Sequence, residues 1–171
     1  MTDVKLKVRY PQTMLPMYDG SKSIHGIARA IQISVHGFIH YDVIHHATAL
    51  RGADIYMLPS RRGSFLQELV IQITQNPEVY AAGIGSGVLS NACYDFLKMT
   101  FAKATGLVAT PETPFMTKLN TKDEPFLDSV AEAMEGSLID GHRTIQSVGG
   151  DVTLERPKST LATFDRDTLT G

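Results

Sequence analysis

The segment SFLQELVIQI, residues 64 to 73, places apolar side chains on both sides of a strand-period pattern. Phe65, Leu69, Ile71 and Ile73 share one face, and Leu66 and Val70 share the other with Glu68 and Gln72. A strand that carries apolar groups on both faces belongs inside a sheet rather than at its margin. The preceding run, Ala53 to Leu58, has strand character too, and the turn Pro59-Ser60-Arg61-Arg62-Gly63 between them predicts a β-hairpin. At the N-terminus Val4, Leu6, Val8 and Tyr10 alternate with Lys5, Lys7 and Arg9, which predicts a strand with one buried and one wet face.

Helical spacing separates these strands. From Asp19 or Ser21, either of which can cap a helix, Ile24, Ile27, Ala28, Ile31, Val35, Phe38 and Ile39 form an apolar stripe, predicted to run to about residue 48. Beyond Pro77 a helix interrupted by Gly83, Gly85 and Gly87 is expected to continue through Phe96 and Phe101 to Gly106. Residues 107 to 121, with Pro111 and Pro114, read as a loop. Asp123 with Pro125 marks another helix start, with Phe126, Leu127, Val130, Ala131, Met134 and Leu138 on its apolar side.

The expected order is β-α-β-β-α-α with DVTLE as an optional last strand: an α+β fold whose antiparallel or mixed sheet has three to four strands and helices on one face. One domain over residues 1–155 follows, with residues 156–171 as a linker or tail leading to a further domain. The chain of 171 residues is long enough to bury a core without staples, and a single cysteine, Cys93, rules out an internal disulfide and fits a reducing compartment. A cytoplasmic protein is the expectation. A net charge of −2 excludes bulk electrostatic attachment to nucleic acid but leaves local patches open. The longest uncharged run, Val79 to Tyr94, is too short and too rich in glycine for a stable membrane span.

Five of the six histidines, His25, His36, His40, His45 and His46, lie in or just after the first helix. His36 and His40, four apart, share a face as a metal-binding pair would, but no HExxH or equivalent carboxylate spacing surrounds them, and Asp42 projects elsewhere on the wheel. Structural histidines beside an apolar stripe are the expectation, with no metal and no cofactor. A hydrolytic alternative uses Arg29, His36 and His40 on a phosphodiester; Arg29 and His36 loosely match the pattern of helical RNases of the HEPN type, whose all-helical fold conflicts with these strands. GIGSGV, residues 83 to 88, fits neither a phosphate loop nor a nucleophile elbow, since no lysine follows and Ile84 stands two before Ser86. No catalytic residue is assigned.

Two binding sets remain. Lys5, Lys7, Arg9, Arg61 and Arg62 would meet on an anionic ligand if the first strand pairs with the hairpin, although the wet positions lack aromatic residues on which bases could stack. Gly26, Ala30, Ser34 and Gly37 form a small-residue row on the first helix, suited to close approach by another helix, from this chain or from a second subunit. The segments DGSKSIHGIARAI and PSRRGSFLQELV, within residues 4 to 74, resemble uncharacterised N-terminal domains of larger bacterial proteins, some associated with anti-phage defence. That resemblance implies a larger parent chain and no catalytic set. The function expected is a non-catalytic oligomerisation or regulatory module, forming a homo-oligomer or serving an attached effector. The alternatives are an anion or nucleotide binder, the hydrolase, and a membrane-disrupting effector acting through residues 80 to 104.

Overall fold

The computed structural model describes residues 2–10, 17–46, 50–58, 66–78, 83, 87–143, 152–157 and 159–164. Strand β1 (Thr2–Arg9) leads to helix α1 (Met17–His40), then to the hairpin strands β2 (Ala53–Leu58) and β3 (Leu66–Ile73). Helices α2 (Leu89–Ala104), α3 (Pro114–Lys122) and α4 (Glu124–Arg143) follow, and the hairpin of β4 (Val152–Arg156) and β5 (Ser159–Phe164) closes the order. The strands form one antiparallel sheet in the order β2-β3-β1-β4-β5.

The α+β class and the internal position of β3 agree with the periodicity of residues 64 to 73, since β3 pairs with β2 on one side and β1 on the other. Leu69, Ile71 and Ile73 are buried with Val4, Leu6 and Val8 in a core shared with α1, α2 and α4. Lys5 on the intervening positions of β1 is exposed, so the helices cover one face of the sheet.

The sheet has five strands rather than three to four. Ser159–Phe164, in the stretch expected to be a tail, pairs with β4 and buries Leu161 and Ala162. A register shift between Leu154 and Glu155 skips Leu161, so the neighbours Leu161 and Ala162 are both buried and the short strand shows no strict alternation.

Two helix boundaries also differ from expectation. The chain leaves α1 at His40, about two turns earlier than the expected end near residue 48, through Tyr41 at φ 52°. Tyr41 then stacks on Phe126 of α4 with ring centroids 4.6 Å apart, a contact between elements distant in sequence that decides the exit. Within the expected loop, α3 begins at Pro114, where proline's missing N–H costs nothing, and Thr113 caps it by accepting the Met116 N–H at 3.2 Å. Pro114 starts that helix instead of breaking it. The Asp123–Pro125 signal does mark the start of α4, with Asp123 Oδ1 accepting the Phe126 N–H at 3.2 Å.

Two buried acids of the core stay protonated. Burial pushes the Cys93 thiol up to about 12, and burial likewise raises the Tyr10 phenol to about 12 against the opposing effect of its 2.8 Å hydrogen bond to Ser23. In the unfolded chain these groups ionise near their ordinary values of about 8.5 and about 10. A folded pKa above the unfolded one contributes stability that is whole below the unfolded value and is lost as pH rises toward the folded one. The urea midpoint is therefore expected to hold from neutrality to about pH 8.5 and to decline above it. Cys93→Ala should remove the earliest part of that decline; an unchanged profile in the variant would contradict the assignment.

Candidate functional site: the open face of the sheet

Side chains of an antiparallel ladder line up in rungs across the strands. On the face away from the helices, Tyr56 of β2, Val70 of β3 and Lys5 of β1 form one rung, and Leu58, Glu68, Lys7 and Glu155 form the next. Lys5, Lys7, Leu58, Glu68, Val70 and Pro157 line a concavity of about 320 Å³ there.

The pairing of β1 with β3 brings Lys5, Lys7 and Arg9 onto this face, as the alternation predicts. Acidic neighbours accompany two of them. Lys7 Nζ lies 4.0 Å from Glu68, and Arg9 Nε donates to Glu155 Oε1 at 3.1 Å, an oxygen that also accepts from the Thr153 hydroxyl at 3.1 Å. Lys5 has no carboxylate partner among the described residues. The face is thus mixed in charge rather than basic. Arg61 and Arg62 lie outside the described residues, as does the rest of the 59–65 turn.

The wet positions are not free of aromatic residues. Tyr56 is 49% exposed on the open face, and beside it Met57 and Leu58 are 61% and 37% exposed. Sequence inspection missed these three because the run ADIYML reads as an ordinary strand; its signal is three large apolar residues in a row, which no half-buried strand can bury on one face.

At the other end of β1 the backbone is closed. β4 pairs only with Lys7 to Arg9, and where it leaves, the Tyr94 hydroxyl accepts the Lys5 N–H at 2.9 Å and donates to the Lys5 carbonyl at 3.0 Å. The Arg156 guanidinium sits 5.5 Å from the Tyr94 ring. Next to Tyr94, Asp95 is buried; its Oδ2 accepts the Glu112 and Thr113 N–H groups and the Thr113 hydroxyl, each at 2.8 Å. Its Oδ1 makes no directed hydrogen bond but faces Lys98 Nζ at 3.3 Å, which in turn contacts Glu112 at 3.1 Å and donates to the Thr110 carbonyl at 2.8 Å. This network ties α2 to the approach to α3. No motif announced it.

The small-residue row of α1 lies inside the chain. Ala30 and Ser34 are fully buried, Ser34 shares a 2.8 Å hydrogen bond with Thr100 of α2, and Gly26 is buried with them. A Cβ on Gly37 would lie 3.1 Å from Val130 of α4 and 3.5 Å from Phe96 of α2. The row lets the chain's own helices approach one another.

The histidine stripe splits. His25 is exposed, whereas His36 and His40 stand together with ring centroids 4.6 Å apart. Contrary to the helical wheel, Asp42 returns to within 3.5 Å of His36 Nε2, because the positive φ at Tyr41 reverses the chain. His40 Nε2 lies 2.8 Å from the Arg51 carbonyl. Among the described residues no group of three histidine, cysteine or carboxylate side chains is placed to hold a metal ion. Gly83, Gly87 and Val88 of the glycine-rich segment are exposed, and residues 84 to 86 lie outside the described set. No described helix is long and apolar enough to cross a membrane.

Fold and face together define a helix-backed, open-faced antiparallel α+β domain. The chain belongs to the DUF7946 family, a domain of unknown function whose model matches residues 12–168. No curated protein and no solved structure matches it.

Proposed function

We propose that this chain is a non-catalytic interaction module that self-associates through its sheet. The observation that carries this reading is the asymmetry of the sheet: helices back one face, while strand β2 leaves Tyr56, Met57 and Leu58 exposed at its margin. Large apolar side chains clustered at an open sheet edge favour a protein partner, because their burial releases ordered water and an unpaired edge supplies backbone hydrogen bonds. The mixed charges of the open face, with Lys7 beside Glu68 and Arg9 beside Glu155, suit a protein surface better than a polyanion. Regulation of an attached effector in a larger bacterial protein, and an anti-phage setting, extend this proposal and rest on the likeness of residues 4 to 74 alone.

Light scattering coupled to size exclusion, from low micromolar to near-millimolar protein, tests it. A mass rising toward that of a dimer is expected, insensitive to added oligonucleotide. A monomeric mass throughout would count against self-association, and retention of a single-stranded oligonucleotide with steep salt dependence would favour the anion-binding alternative instead.

A further inference from the structure

We infer that the outer edge of β2 pairs with β2 of a second copy, antiparallel about a two-fold axis at Ile55, so that the two sheets become continuous. This deepens the self-association proposed above and rests on it. The ladder shows which backbone groups are available. Gly52, one position before the Ala53–Ile73 pair, accepts the Thr74 N–H at 2.8 Å. Residues that exchange bonds with one neighbour alternate along an antiparallel strand. Asp54, Tyr56 and Leu58 therefore turn their amides toward β3, and Ala53, Ile55 and Met57 turn theirs outward.

Those three outward residues are symmetric about Ile55. A two-fold axis there pairs Ala53 with the partner's Met57, Ile55 with the partner's Ile55 and Met57 with the partner's Ala53, so every outward N–H and C=O is used. An axis at Tyr56 would leave Ala53 unpaired. The side chains agree with the first choice. Asp54 is the only charged residue of β2, and it falls opposite the partner's Tyr56 rather than a second aspartate. Met57, 61% exposed, falls opposite the partner's Ala53, a small residue that leaves room for it.

Among the described residues, β2 lacks several of the usual protections of an edge strand. No proline or lysine occurs between Ala53 and Leu58, and the pairing with β3 runs through all six residues without a bulge. The opposite margin of the sheet differs: β5 pairs with β4 across a register shift and packs against α2. Of the two edges, β2 is the one built for addition of a strand.

One proline variant and one cross-linking experiment on the intact chain test the pairing. Met57→Pro removes an outward N–H while leaving the bonds to β3, a place where an edge strand tolerates proline. With far-ultraviolet circular dichroism unchanged, the dimer dissociation constant is expected to rise at least tenfold. Because a folding defect could mimic that result, a mixture of Asp54→Cys and Tyr56→Cys chains is oxidised in parallel. The axis at Ile55 makes these positions a non-hydrogen-bonded pair about 4.5 Å apart at Cα, within disulfide range. The mixture is expected to give a cross-linked dimer, and each variant alone is not, since like positions lie about two residues out of register. Cys93 is buried and does not compete. Dimers that survive Met57→Pro, or that cross-link equally well with either variant alone, overturn the Ile55 pairing but leave self-association standing. A monomer at every concentration overturns both.

Discussion

Asp95→Ala is expected to destabilise the fold by about 3–5 kcal/mol, the range seen when one member of a buried ion pair is removed. The carboxylate is 1% exposed and faces Lys98, whose side chain is only 15% exposed, so the substitution strands a charge as well as three donors. Each donor left without a partner away from water carries a desolvation cost of its own, about 1–3 kcal/mol. Glu112 partly compensates, because it also contacts Lys98, but it is half exposed and its pairing is screened. Asp95→Asn keeps an oxygen for the three donors and loses only the charge, so a smaller loss is expected. Urea denaturation measures both. Hydrogen exchange supplies a local readout: the Glu112 and Thr113 amides should lose protection in Asp95→Ala well beyond the change in global stability. A loss below about 1 kcal/mol would mean that the Thr113 region holds itself in place without Asp95.

Phe96→Ala is expected to cost about 3–5 kcal/mol for a different reason, the lost transfer energy of a large side chain plus the cavity it leaves. Phe96 is fully buried, with ring centroids 5.5 Å from Phe38 of α1 and 6.3 Å from Phe126 of α4. It sits where three helices meet, next to Gly37, whose missing side chain makes room for it. The surrounding rings are anchored on separate helices and cannot all close on the gap. Phe96→Leu retains most of the volume and is expected to lose considerably less. Equal losses in the two variants, by calorimetry or urea, would mean that the aromatic contacts rather than the filled volume hold the helices together. Losses of this size are a large share of a typical domain's stability of about 5–15 kcal/mol, so Phe96→Leu keeps the test readable if the alanine variant does not fold.

Asp95 and Phe96 are adjacent in sequence yet point about 100° apart on α2, one to the approach to α3 and the other to the helical core. Phe96 fell within the helix expected between Pro77 and Gly106. The role of Asp95 was not legible, because its partners are backbone amides 17 and 18 residues away, and a backbone amide has no letter in the sequence. The same limit explains β5. Its strand character comes from pairing with β4, not from its own alternation, so Ser159–Phe164 looked like a tail. Tyr41 illustrates a third kind: stacked on Phe126 of a helix far along the chain, it follows an α1 that stops at His40, short of the expected end near residue 48.

Local spacing alone determined the alternation of β1, the hairpin of β2 and β3, the internal place of β3, and the apolar stripes of α1 and α4, because period-2 and period-3.6 burial is written directly in residue order. The same spacing put Lys5, Lys7 and Arg9 on one wet face. Tertiary structure decided what that face is: Glu68 and Glu155, brought in by neighbouring strands, turn a row of cations into a mixed surface. It also decided that the small row of α1 serves the chain's own helices and that β2, with Tyr56, Met57 and Leu58 exposed, is one of the two edge strands, since which strands have a single neighbour depends on strand order. Periodicity is a property of consecutive residues, whereas neighbours across a sheet are set by loop closure and by the packing of the whole core.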